Sequence, residues 1–184
     1  LDIMRDVLLT VKLDNQARFR QMVLEAKAGK EASLVPAGHQ VTNTRLKSHF
    51  TEADWVSEQI GGIEYLFFLR RLAEAVENDW PSVLAKLEEV HRLLVNRNSL
   101  VVNVTLDEEN YGRFLPILGD FVTAVPANSL QLNDWSPQLS RSDEGLTIPA
   151  QVNYVGRGAN LYDLGYRLHG SISVINKYLA MTYL

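Results

Sequence analysis

The 184-residue sequence predicts a helix-rich α+β chain. Three observations lead there. Long stretches space apolar residues three and four apart, as at Leu66, Leu69, Leu72, Ala73 and Val76, which is the period of an amphipathic helix. Residues 100–106 and 148–155 are instead β-branched or alternating apolar runs, the pattern of strands. Between them, residues 126–147 are rich in Pro, Ser and Asn (Pro126, Asn128, Asn133, Pro137, Ser140) and carry few regularly spaced apolar side chains, so they read as a linker.

In chain order, residues 1–13 read as a helix tail or a short β-prone piece, with Val7, Leu8, Leu9, Val11 and Leu13 as its apolar positions. Asp14 is a suitable N-cap for a helix over 15–30, whose stripe is Phe19, Met22, Val23 and Ala26. Pro36-Ala37-Gly38 interrupts it, and one or two helices follow down to Gly61-Gly62, a strong helix terminator. A helix over 63–77 comes next. Asn78-Asp79-Trp80-Pro81 then offers capping side chains and a first-turn proline to another helix, with Val83, Leu84, Leu87, Val90 and Leu94 as its inner face. After the strand over 100–106, Asp107-Glu108-Glu109 puts acids at the start of a helix running to Ala124, with Tyr111, Phe114, Leu115, Leu118, Phe121 and Val122 inward. Pro116 is expected to kink that helix or shift its start. Past the linker come the strand over 148–155, a Gly156-Arg157-Gly158 turn, and a helix over 171–184 with Ile172, Ile175, Leu179 and either Met181 or Tyr183 inward. Each strand carries backbone groups that need partners, so further strands are expected from outside this stretch.

Composition bounds the function. At this length a domain buries about 70% of its unfolded surface, and 46% hydrophobic with 22% charged residues is the balance of a globular chain. The net charge of -4, with 18 basic residues scattered among 22 acidic ones, leaves no basic stripe for phosphates, and no nucleic-acid partner is expected. No apolar run approaches membrane-spanning length, so no membrane is expected either. With no cysteine, disulfides, thiolate metal sites and cysteine nucleophiles are excluded, which is compatible with an intracellular compartment. The first residue is Leu1 rather than Met, and an apolar helical pattern runs to Leu184 without a stop signal. Both ends are therefore expected to be internal to a longer polypeptide.

Metal chemistry is the first catalytic option to weigh. His39, His49, His91 and His169 are the only imidazoles, and no two lie four apart, the spacing that puts two ligands on one helical face. His49-Phe50-Thr51-Glu52-Ala53 begins like the inverzincin pattern H-x-x-E-H, but Ala53 stands where the second ligand would be. No metal and no catalytic residue is assigned, and His49 and Glu52 read as surface or capping groups. Gly61-Gly62 and Gly156-Arg157-Gly158-Ala159 match neither phosphate-loop pattern and read as caps and turns. Asn103-Val104-Thr105 is formally a glycosylation sequon inside an apolar strand. Tyr65, Phe67 and Phe68 read as core, and Glu88-Glu89 as a solvated helix face.

Several stretches taken in order resemble one family. They are Gly38-His39 with the Arg-bearing helix after it, Trp55-Val56-Ser57-Glu58-Gln59-Ile60-Gly61-Gly62-Ile63-Glu64-Tyr65-Leu66-Phe67-Phe68-Leu69, and Ile148-Pro149-Ala150-Gln151-Val152-Asn153-Tyr154-Val155-Gly156 with Gly165-Tyr166 behind it. Together they resemble the presequence protease branch of the pitrilysin/insulinase-type zinc metallopeptidases. The resemblance implies four similar α/β domains, two per half, joined by a helical hairpin and closing like a clamshell around a peptide-digesting chamber.

It places residues 1–125 in the C-terminal part of the third domain, 126–147 in a linker, and 148–184 at the opening strand and helix of the fourth. It implies zinc in the parent protein but none bound by this segment, since the H-x-x-E-H motif belongs to the first domain. The family's substrate-assisting Arg and Tyr would follow Leu184, so nothing catalytic carries over and the substrate-binding residues are unknown. The implied partners are the remainder of its own polypeptide, including the catalytic half, and unstructured peptide substrates such as targeting sequences. The implied setting is a mitochondrial matrix, chloroplast stroma or bacterial cytoplasm. The competing expectation is a free-standing helical interaction module without enzymatic activity.

Overall fold

A computed structural model describes residues 1–130, 136, 137, 139 and 142–182. Asn133, Asp134 and Ser140 of the expected linker, and Tyr183 and Leu184 of the last helix, lie outside the described residues. Eight α-helices are described: α1 Asp2–Thr10, α2 Gln16–Ser33, α3 Gly38–Lys47, α4 Glu52–Gly61, α5 Ile63–Asn78, α6 Trp80–Leu94, α7 Glu108–Ala124 and α8 Ser171–Thr182. A single 3₁₀ turn, Arg97–Ser99, lies between α6 and α7.

The α+β expectation is corrected. Among the described residues there is no strand. Neither 100–106 nor 148–155 enters a ladder, because a strand exists only by pairing and no described extended segment pairs with either. The inward faces expected for α6 and α8 also fall short. Val90 and Leu94 of α6 are exposed, as are Ile175, Leu179 and Met181 of α8, leaving Val83 as the buried residue of α6.

The core is built around α5. Ile63, Leu66, Leu69 and Val76 are its buried residues, spaced so that they form one stripe facing α2, α4 and α6. Side chains fix the antiparallel course of α2 and α5. Gln16 at the start of α2 donates to the Val76 carbonyl (2.7 Å), and Lys30 at its end donates to the Gly61 carbonyl (2.6 Å). Arg20–Glu77 and Arg70–Glu31 add ion pairs along the seam. Phe19 of α2 meets Trp80 at the start of α6 with ring centroids 5.8 Å apart.

Local signals explain the boundaries. Asn15, rather than Asp14, caps α2 by accepting from the Arg18 N–H (3.0 Å). Asp79 caps α6, with a proline in the first turn, and Asp107 caps α7. Pro116 lies inside α7 without shifting its start. Buried Asn96 ties the end of α6 to the segment after α7. Its Oδ1 accepts from the Asn128 N–H (3.0 Å), while its amide donates to the Asn128 carbonyl (3.2 Å). α1 is held from the other side, where His91 Nε2 lies 2.7 Å from the Leu8 carbonyl.

Candidate functional site

A cluster of charged groups gathers at the corner where α4 turns into α5. Thr51 starts α4 by accepting from the Asp54 N–H (3.1 Å), with Glu52 and Asp54 as acids in the first turn. Glu52, the acid of the near-miss zinc pattern, is thus an exposed first-turn residue. Seven residues after Thr51, Glu58 points inward and is 0% exposed. Gly62 has no side chain with which to cap α5, and the Glu58 carboxylate does that work. Its Oε1 accepts from the backbone N–H groups of Ile63 (2.8 Å) and Glu64 (3.3 Å). A carboxylate at a helix N-terminus answers both the orphan donors and the helix dipole.

Glu58 Oε2 is buried without a hydrogen-bond partner among the described residues. It lies so close to Gly62 that a Cβ there would overlap the carboxylate. Position 62 therefore demands glycine for space rather than for backbone freedom, since its φ of -89° is open to any residue.

Arg45, in the last turn of α3, reaches into this corner. Its guanidinium donates to Glu64 (3.0 Å) and Glu58 (3.4 Å) through one nitrogen, and grips Glu144 with the other two (2.7 and 3.0 Å). The grip on Glu144 is the two-pronged geometry peculiar to arginine. The hydrogen bond from Arg45 holds the Glu144 carboxyl below its ordinary value, against its partial burial, and Arg45 and His49 add charge attraction. The Arg45 pKa is raised in return, first by the hydrogen bond to Glu144 and further by Glu64 and Glu58.

A cleft of about 170 Å³ opens beside the cluster, lined by Ser48, His49, Trp55 and Gln59 as well as the charged groups. His49 Nε2 lies 3.9 Å from Glu144. Ser48, its neighbour, donates its hydroxyl to the Arg45 carbonyl (2.6 Å).

Glu144 is the first of several groups that seat residues 144–158 along α3. The Tyr154 hydroxyl donates to the Val35 carbonyl (2.5 Å), and its ring fills the space over Gly38 where any Cβ would collide. Further along, Gly156 faces Thr42, and Gly158 faces Leu46 and Phe50. Gly156-Arg157-Gly158, expected as a turn, is not one in the structure; its glycines instead allow close approach to α3.

The residues weighed from sequence for metal chemistry scatter. His39 lies at the start of α3, His49 beyond its end, His91 in the last turn of α6, and His169 before α8, where its Nδ1 lies 2.9 Å from the Ser171 hydroxyl. Among the described residues no three His, Cys, Asp or Glu side chains come together in a way that could hold a metal ion. Tyr65 and Phe68 stack on each other, ring centroids 6.5 Å apart, with Phe68 exposed rather than in the core. The Arg45, Glu58, Glu64 and Glu144 cluster was not singled out from sequence. The available signal was an acid four residues before a Gly-Gly helix end, but Glu144 lies 99 positions from Arg45, beyond any local pattern.

Comparison with known proteins bears on the same regions. A family model for a peptidase-associated region matches residues 1–72, and one described as "PreP C-terminal domain" matches residues 143–184. Presequence protease 1, chloroplastic/mitochondrial, of Arabidopsis thaliana is 37% identical over all 184 residues. The chain belongs with the presequence proteases.

Relatives of this presequence protease region extend beyond plants. Presequence protease, mitochondrial, of Gibberella zeae is 25% identical over 161 residues, 84% of this chain. Protein HypA of Clostridium perfringens (strain 13 / Type A) is 23% identical over the whole chain. The chain spans only 17%, 19% and 16% of the Arabidopsis, Clostridium and Gibberella proteins respectively. Within the presequence protease match, Arg45 and Glu58 lie in the first family model and Glu144 in the second, so the charged cluster joins the two matched regions.

Proposed function

We propose that this chain is a non-catalytic part of the C-terminal half of a zinc metalloendopeptidase that degrades short unstructured peptides, targeting sequences among them, in a closed chamber. The observation that carries the proposal is the 37% identity along the whole chain to a presequence protease. In this reading residues 1–125 end the third of four domains, 126–147 link it to the fourth, and 148–184 begin the fourth. Among the described residues the donors do not fit zinc, since the histidines stand on separate elements and Ala53 replaces the second ligand of the one partial motif. The zinc and its ligands would belong to the catalytic half of the same polypeptide, the partner of this region.

The role of such a segment is mechanical. A chamber wall that moves with closure selects substrates by size and flexibility and influences kcat and KM without touching the reacting bond. The names of two relatives place those proteins in chloroplasts or mitochondria, and we extend a mitochondrial, chloroplast or bacterial cytoplasmic setting to this protein. Among the described residues no helix is long and apolar enough to cross a membrane.

The test is hydrolysis of a quenched-fluorescent unstructured peptide by the full-length polypeptide with zinc, with and without a chelator, beside the 184-residue chain alone. Chelator-sensitive cleavage by the full-length protein and none by the chain alone is the expected result. Hydrolysis by the chain alone with zinc, or indifference of the full-length enzyme to the chelator, would sink the proposal.

A further inference from the structure

The geometry points to a reversible latch, in which Arg45 grips Glu144 to hold residues 144–158 against α3, and release of that grip frees the segment without dismantling the helical core. The inference does not rest on the peptidase reading.

The two sides of the contact differ in how they are built. On the core side, Arg45 is held twice over, by Glu64 (3.0 Å) and by buried Glu58 (3.4 Å), independently of Glu144. Loss of Glu144 therefore leaves the guanidinium paired and in place, and the receptor stays formed. On the segment side the attachments are sparse. Residues 144–158 form no helix or strand, and beyond Glu144 the polar attachment to the turn before α3 is the Tyr154–Val35 hydrogen bond. The apolar remainder is the Tyr154 ring over Gly38 and close glycine contacts to Thr42, Leu46 and Phe50. A segment seated by so few groups opens at far lower cost than the core.

The ion pair is also exposed enough to respond to solution conditions, with side chains 23% and 31% accessible. Three carboxylates share one guanidinium, so Glu144 leaves a cluster that is still acidic, and salt that screens Arg45 favours its departure. His49, the other titratable group against Glu144, lies at 3.9 Å and cannot replace the two-pronged grip.

Distances between nitroxide labels would test the latch in the full-length polypeptide, with one label at Lys47→Cys on α3 and the other at Arg157→Cys on the segment. These 184 residues contain no native cysteine; any elsewhere would be replaced. The unmodified pair should show mainly the short, docked distance. Glu144→Gln should raise the long-distance population about two- to fivefold, and salt of about 1 M should do the same to the parent. Amide exchange of α5 should stay unchanged in Glu144→Gln, because Glu58 and Glu64 still hold Arg45. A distance distribution identical in parent and Glu144→Gln, docked or undocked, overturns the latch, as does loss of α5 protection in that variant.

Discussion

Glu58 caps α5 from a position four residues before Gly62, and the two residues are matched in space. Removing the carboxylate leaves the Ile63 and Glu64 amides without an acceptor where Ile63 is buried. Glu58→Ala should therefore cost about 2–3 kcal/mol of stability. Gly62→Ala forces a methyl group into the Glu58 carboxylate and should cost about 1–3 kcal/mol. The two losses should be less than additive, because removing the Glu58 carboxylate relieves the tightest part of the clash at position 62 and leaves only the approach to the Glu58 carbonyl oxygen (2.7 Å). Chemical denaturation of the single and double variants measures all three. Sequence signalled the Gly-Gly helix end but not this pairing, since it arises from where α4 aims one side chain. Arg45 was equally hidden among basic residues scattered along the chain.

Helices with local punctuation were the most legible elements. Asp79 and Pro81 define the start of α6 within three residues, and Asp107 does the same for α7. The expected strands failed for the opposite reason. Val101, Val102 and Val104 carry strand propensity, but pairing needs a neighbour that the described chain does not bring alongside. Val101 is 90% exposed and Val155 93%. The same distinction governs which apolar residues matter in helices. Leu66 on the inner face of α5 is 1% exposed and Leu94 at the end of α6 is 75% exposed. Leu66→Ala should destabilise by about 2–5 kcal/mol, while Leu94→Ala should stay within about 0.5 kcal/mol. Equal denaturation midpoint shifts for the two would contradict a core centred on α5.

At the scale of the whole molecule, two regions far apart in sequence meet through one guanidinium. Glu144 is held below its ordinary pKa by Arg45, so its stabilising contribution is fully present above the unfolded-state carboxylate value. That contribution is lost as pH falls through the depressed folded-state value. Acidification below the ordinary carboxylate range should therefore loosen 144–158 from α3, and the label distances described above should lengthen over that window. Glu144→Gln should flatten the response. Lengthening confined to pH values above that range would contradict the assignment. This junction was the least legible feature in the sequence, because it depends on how the chain folds back across 99 positions. What sequence did support was the relationship to presequence proteases, through Trp55 to Leu69 and the stretch around Tyr154. Both stretches prove to contain packing partners: Glu58 with Gly62 in the first, and Tyr154 with Gly38 across the fold.

The Tyr154 ring occupies space that a methyl group at position 38 would need. Substitutions at the two positions are therefore expected to be coupled. A lineage that acquires alanine or serine at 38 should carry a small residue at 154, and reversion of either alone should be selected against.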